Sequence, residues 1–184
     1  MQSINRYEIG DNIGGLAKLN FIPTEDIIYI PPALDNEIYQ DIQLQPGKTW
    51  YEAYFSLESL GYQETMQQTK HGEAFNMELK GFLPKNQPSL ARVLGLMKRR
   101  KLVFAADDNN GQRLLIGSIE HYLRFERTLD TKDSTSGRNG IAVTFTGKSR
   151  HEAYFYSGKL PISESQLAER NRYLLLESGA RIKL

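Results

Sequence analysis

Apolar and polar residues alternate through FNMELKGFL, where Phe75, Met77, Leu79 and Leu83 take turns with Asn76, Glu78, Lys80 and Phe82. A period of two turns one mainly apolar face toward a core and predicts a strand. IIYI, Ile27 to Ile30, predicts a short strand ended by Pro31 and Pro32. WYEAYFSL from Trp50 is rich in strand-forming aromatics, while YQETMQQTKHG after Gly61 alternates weakly and reads as solvated. Together they predict a long, partly exposed hairpin near residues 50–70.

One segment changes period. In PSLARVLGLMKRR, Leu90, Val93, Leu94 and Met97 stand at i, i+3, i+4 and i+7, which predicts a helix near 88–100. Pro88 suits its start, and Lys98, Arg99, Arg100 and Lys101 complement the negative end of its dipole. That role in water is the plainer explanation of the basic run, ahead of a phosphate site.

KLVFAA then reads as a buried strand, and Asn110-Gly111 between two apolar runs predicts a hairpin with a type I′ turn. QRLLIGSIEHYLRFERTL, the polar loop TKDSTSGRNG and IAVTFTGKSRHEAYFYSG complete an expected three-stranded antiparallel meander of long strands. The chain is therefore expected to be mainly β, of the α+β class, with one helix. SESQ at Ser163 has capping-box spacing, yet Leu174, Leu175 and Leu176 cannot share one helix face. Neither this tail nor the glycine-bearing stretch before Pro23 has a core of its own. EAYF occurs at Glu52 and again at Glu152 with unlike flanks, which is recurrent strand chemistry rather than duplication.

Composition narrows the function classes. The 184 residues suffice for one domain. With no cysteine, disulfides, thiolate metal sites and cysteine nucleophiles are excluded. Lys and Arg number 23 against 22 acids, a balance that argues against a dedicated nucleic-acid binder and leaves little repulsion between copies. No apolar run is long enough for a bilayer, and MQSINRYEIGDNIGG lacks the apolar centre of a signal peptide.

AVTFTGKS, Ala142 to Ser149, fits the phosphate-loop pattern with Ala in place of the first Gly. Such a loop needs a glycine-rich turn whose backbone N–H groups converge at a helix N-terminus. Val143 to Thr146 are strand formers, and RHEAYFYSG after Ser149 is strand-like. Asp107, the candidate magnesium acid at the end of LVFAAD, opens a turn instead. DDNNG fails as a calcium loop, because Ala106 occupies the first ligand position and Gly117 the twelfth. His71, His121 and His151 show no metal-ligand spacing, and no nucleophile elbow or acid pair is present. No enzyme, cofactor or metal is expected.

The order strand (FNMELKGFLP), helix (PSLARVLGLMKRR), strand ending in DDNNG, LLIGS strand, polar loop and IAVTFTGKSRHEAYFYSG resembles the tail-tube proteins of long-tailed bacteriophages over about Ala74 to Gly158. The resemblance implies an antiparallel β-sandwich or barrel with one flanking helix, joined into homohexameric rings. These rings stack into a channel for genome ejection. It divides the chain into an N-terminal arm over 1–22, a β-domain over 23–159 and a C-terminal arm over 160–184. Partners would be further copies of the chain and other tail proteins, with DNA passing through unread and no membrane. The location would be the virion tail, after synthesis in the bacterial cytoplasm. Candidate interface residues are Trp50, Tyr51, Tyr54, Phe55, Tyr154, Phe155, Tyr156, Tyr173, Leu174, Leu175 and Leu176. Tube linings of this family are typically acidic, which makes Glu78, Glu120 and Glu126 the lumen candidates. A tail-terminator or head–tail joining ring, a monomeric ligand-binding β-domain and a nucleotide enzyme remain the alternatives.

Overall fold

A computed structural model describes residues 12–70, 72–131 and 139–162. In chain order it contains β1 (Leu16–Pro23), β2 (Ile27–Tyr29), β3 (Glu37–Ile38), β4 (Gln43–Leu44), β5 (Tyr51–Ala53), β6 (Gly61–Thr69) and β7 (Gly72–Pro84). Then follow α1 (Pro88–Met97), β8 (Leu102–Asp108), β9 (Arg113–Ile116), β10 (Arg124–Asp130), β11 (Gly140–Ser149) and β12 (Tyr154–Tyr156). The fold is mainly β in the α+β class.

LVFAA of β8 has no polar alternation, so it belongs where both faces are covered. It lies inside a six-stranded sheet of order β3-β12-β9-β8-β1-β5, with every residue from Leu102 to Ala106 buried. Leu102, Phe104 and Ala106 face a four-stranded antiparallel sheet, β10-β11-β7-β6. Met77, Leu79, Val143 and Phe145 complete that layer, where the Phe104 and Phe145 ring centroids stand 4.6 Å apart. Val103 and Ala105 face the other way, into a second core with Ile22, Ile38, Ile42 and Trp50. The small β2-β4 sheet and its loops supply the cover there. The result is a sandwich-like pair of sheets with an extra covering layer on one side. Helix α1 joins β7 to β8 and buries Leu94 and Met97 at the sandwich core, while Val93 and Leu96 stay exposed.

Four expectations change. The N-terminal arm does not extend to residue 22, because Leu16–Pro23 is a strand paired with β8 and β5, with Leu19 and Ile22 fully buried. Its apolar residues fall on both faces, as a strand between two cores requires. The long hairpin is β6–β7, not a pairing of the Trp50 segment with β6. Tyr51 instead stacks on Phe21 at 5.5 Å and holds β5 in the other sheet.

The expected meander is broken as well. Gly117 adopts φ +88°, and Ser118 N donates to the His121 carbonyl at 2.8 Å. This turn carries the chain from β9 in one sheet to β10 in the other, and β12 crosses back after β11.

The Asn110-Gly111 hairpin forms, with a different turn. Of the two residues only Gly111 has positive φ, +85°. Gly111 N donates to the Asp108 carbonyl, and the Asp108 carboxylate accepts from the backbone N–H of Asn110 and Gln112. This is a type I turn followed by a left-handed glycine. The double positive φ of a I′ turn occurs at Asp35 (51°) and Asn36 (66°), between Leu34 and Glu37. Gly111→Val is therefore expected to cost about 1–2 kcal/mol in denaturant unfolding. Gly111→Asn should cost clearly less, since asparagine tolerates the left-handed region, and equal losses in the two variants would deny positive φ that role at Gly111. Asn110 contributes differently, since its side-chain amide bonds Asn12 and Ile13.

Candidate functional site

The four-stranded sheet covers the core with one face only. Register sets Arg124, Thr146, Glu78 and Gln63 in one row across it, and Glu126, Thr144, Lys80 and Gly61 in the next. Phe125, Phe145, Leu79 and Tyr62 form the intervening row on the core side. The outward face is thus mostly threonine, amide and charge, with Lys148 and Asn76 paired at one end and Thr128, Ala142 and Phe82 in the row beyond Lys80. Among the described residues, β6 and β10 are its edges and meet no further strand.

Two of the three acids expected to line a lumen, Glu78 and Glu126, share this face; Glu120 lies in the turn between β9 and β10. The face is not acidic, since Lys80, Lys148 and Arg124 stand among them and Lys80 pairs with Glu78 at 2.8 Å. Net charge on these five side chains is +1, from three cations and two anions.

The interface candidates separate by burial. Trp50 and Tyr156 are 0% and 3% exposed and belong to the second core, so they are structural in this chain. Single-strand reasoning missed this because the cover over 24–50 comes from a segment with no long element of its own. Phe55 packs against the sandwich core and Tyr154 against the second one. Tyr51, Tyr54 and Phe155 are 40%, 65% and 40% exposed and keep an outward surface. Tyr173, Leu174, Leu175 and Leu176 lie outside the described residues, as does most of the expected C-terminal arm. Its first residues rest on the domain, where Trp50 N donates to the Pro161 carbonyl at 2.9 Å and Leu160 packs on the second core.

The phosphate-loop pattern has another use. Lys148 is the last residue but one of β11, opposite Asn76, and Ser149 ends that strand rather than opening a helix. A Cβ on Gly147 would lie 2.7 Å from the Tyr122 carbonyl oxygen, so this glycine lets the crossing from β9 to β10 pass close over β11. Asp107 forms an ion pair with Arg113 at 2.5 Å instead of facing Lys148. His71 is outside the described residues, and among the described ones no group of three His, Asp or Glu side chains could hold a metal. No helix among them is long and apolar enough to cross a membrane.

No protein-family model matches this chain, and no curated protein or solved structure gives a match.

Two polar groupings remain. On the core side of β6, Glu64 accepts from the Tyr62 hydroxyl at 2.6 Å and from the Ala153 N–H at 2.9 Å, tying the edge strand to the segment before β12. Burial first, then the bond to Glu64, pushes the Tyr62 hydroxyl far above the ordinary tyrosine range. At the end of the sheet where β10 begins, Lys101 Nζ lies 4.6 Å from the Tyr122 ring centroid and Arg124 Cζ 5.4 Å from it. Arg124 also donates to the Tyr122 oxygen at 3.2 Å, and that bond lowers the pKa of the hydroxyl.

Gly147→Ala is expected to destabilise by about 1–3 kcal/mol through overpacking, with Lys148→Ala near neutral; the reverse ranking in thermal unfolding would restore a special role for Lys148. A Tyr62 whose folded pKa is raised contributes stability below about pH 10 that is lost as pH climbs above it. Tyr62→Phe should flatten that alkaline decline, and an unchanged slope would deny Tyr62 the role.

Proposed function

We propose that the chain is a ring-forming structural subunit, namely the tail-tube subunit of a long-tailed bacteriophage, built as stacked homohexamers around a channel for genome ejection. The observation that carries this is the four-stranded sheet, which among the described residues has one polar, uncovered face and two edges that meet no further strand. β6 is nine residues long with unbroken register against β7 and no Lys, Arg or Pro. These are the devices that normally protect an edge from other chains. Its one charge, Glu64, is engaged on the core side.

Strand direction supports ring closure. The four strands alternate, so β6 and β10 run in opposite senses. A copy rotated about a common axis then presents β10 to the preceding copy's β6 antiparallel, and head-to-tail repetition closes without exposed edges. The six-stranded sheet, α1 and the cover all lie on the core side and need the larger radius. The polar face would then turn toward the axis, with Glu78 and Glu126 on the channel wall. That wall would be of mixed charge rather than acidic, so sliding of DNA would rest on the balance of Lys80, Glu78, Glu126 and the threonines. A terminator or joining ring would use the same edges without indefinite stacking.

One feature favours the monomeric ligand-binding alternative: a groove of about 700 Å³ between Gly14–Lys18 and Ala53–Leu60. Its Asn109 amide is already committed to the Gly14 carbonyl at 2.7 Å.

Negative-stain microscopy and mass photometry across a concentration series should reveal rings or striated tubes with a central hole. Gln63→Lys with Gln67→Lys, on the outward side of β6, should abolish rings and leave the melting temperature within a few degrees. A purified chain that stays monomeric at every concentration would sink the tube reading and turn attention to the groove.

A further inference from the structure

The basic run after α1 reads from sequence as solvated helix-end charge, and folding adds a second source of charge to it. The isolated bridge between Leu102 and Leu123 brings the start of β8 against the start of β10. Lys101 and Arg124, 23 positions apart in sequence, thereby share the Tyr122 ring. Lys98, Arg99, Arg100 and Lys101 are all exposed, as is Arg124. Arg100 is paired with Glu25, and the acids nearest Tyr122 and Arg124 in sequence are Glu120 in the neighbouring turn and Glu126, two residues beyond Arg124 on β10. Gathering like charges around one ring raises the free energy of the unliganded surface and favours an anion that bridges them.

We propose that Lys101 and Arg124, which share the Tyr122 ring, form with the exposed Lys98 and Arg99 of the preceding run a docking surface for the phosphodiester backbone of DNA, which in the ring reading lies at one mouth of the channel. Arg124 belongs to both the cluster and the outward sheet face, since its row continues through Thr146 to Glu78. Lys148, two residues beyond Thr146 on β11, extends the positive charge along the same end. Lys101, Arg124 and Lys148 are therefore at one end of the sheet, and several cations close together suit a polymer of phosphates. A planar guanidinium and an aromatic ring among them suit contact with nucleotides. The near-zero net charge of the chain does not oppose this, because it averages a basic end with acids placed elsewhere, Asp35, Glu37 and Asp41 of the cover among them. The choice of DNA as occupant rests on the channel reading above; the cluster itself does not.

The test is binding of a fluorescein-labelled DNA duplex of mixed sequence to the full chain, by anisotropy over a salt series. Arg99→Gln, Lys101→Gln and Arg124→Gln together should weaken binding about tenfold or more at low salt and reduce the slope of log K against log salt by about two to three. Lys70→Gln, Lys85→Gln and Lys159→Gln remove the same charge elsewhere and should change affinity less than about twofold, with both variants checked for an unchanged melting temperature. Equal weakening in the two variants, no duplex binding by the unmodified chain, or binding to phosphatidylserine vesicles but not to DNA would overturn the proposal. Mass photometry on the same samples separates the two questions. Rings whose DNA binding ignores the cluster would remove the docking surface and leave the tube. Cluster-dependent binding by a chain that never assembles would uphold the surface and remove the tube.

Discussion

Burial of β8 on both faces is the constraint from which the rest of the architecture follows. Five consecutive residues, Leu102 to Ala106, have no exposed side, so each face of the six-stranded sheet must be covered by something else. The sandwich sheet covers Leu102, Phe104 and Ala106, and the irregular stretch from Thr24 to Trp50 covers Val103 and Ala105. Neither layer could be exchanged for the other. One side requires long strands that present alternate apolar residues, and the other is a set of short β pieces anchored by Ile38, Ile42 and Trp50.

Among the described residues, that double burial leaves the four-stranded sheet as the one large sheet with a polar face to spare. A sheet covered on one side has alternating residues, and its outward set here is mostly threonine, amide and charge. The same alternation fixes β6 in register over nine pairs while leaving its outer edge without a strand neighbour among the described residues. The central sheet solves its edges differently: β3 and β5 are two and three residues long, too short to template another chain. Between the two sheets, the long edges that can accept a partner therefore belong to the thinner, one-sided layer.

Polar groups inside this scaffold fall into two kinds. Glu64 is satisfied by Tyr62 and Ala153 and fastens an edge strand to the loop beneath it. Asn20 and the Trp50 indole N–H are buried with no hydrogen-bond partner among the described residues, beside the mainly apolar second core. Each such group opposes folding by about 1–3 kcal/mol. The packing of the cover layer must offset these two groups, and it is joined by polar contacts such as the Ile42 N–H donating to the Tyr156 hydroxyl and the Lys48–Asp26 pair.

What the sequence determined by itself is local. The period of two in FNMELKGFL, the helix phase of Leu90, Val93, Leu94 and Met97, and the unbroken apolar run of β8 each declare an element, because side-chain direction follows backbone geometry residue by residue. The same reasoning read AVTFTGKS as a strand, and it lies in β11. Only the tertiary structure decided which strands are neighbours. That choice depends on contacts between distant residues: Tyr51 on Phe21, Leu123 beside Leu102, and Tyr122 against Gly147. One positive φ at Gly117 sends β10 to the other sheet, and no periodicity carries that signal. Trp50 reads as a surface aromatic until the cover closes over it, and Lys101 and Arg124 have no relation until the sheets bring them to one ring. Burial and clustering are properties of the packed layers, and a linear pattern of apolar and polar residues sets them only where one strand's two faces meet fixed neighbours.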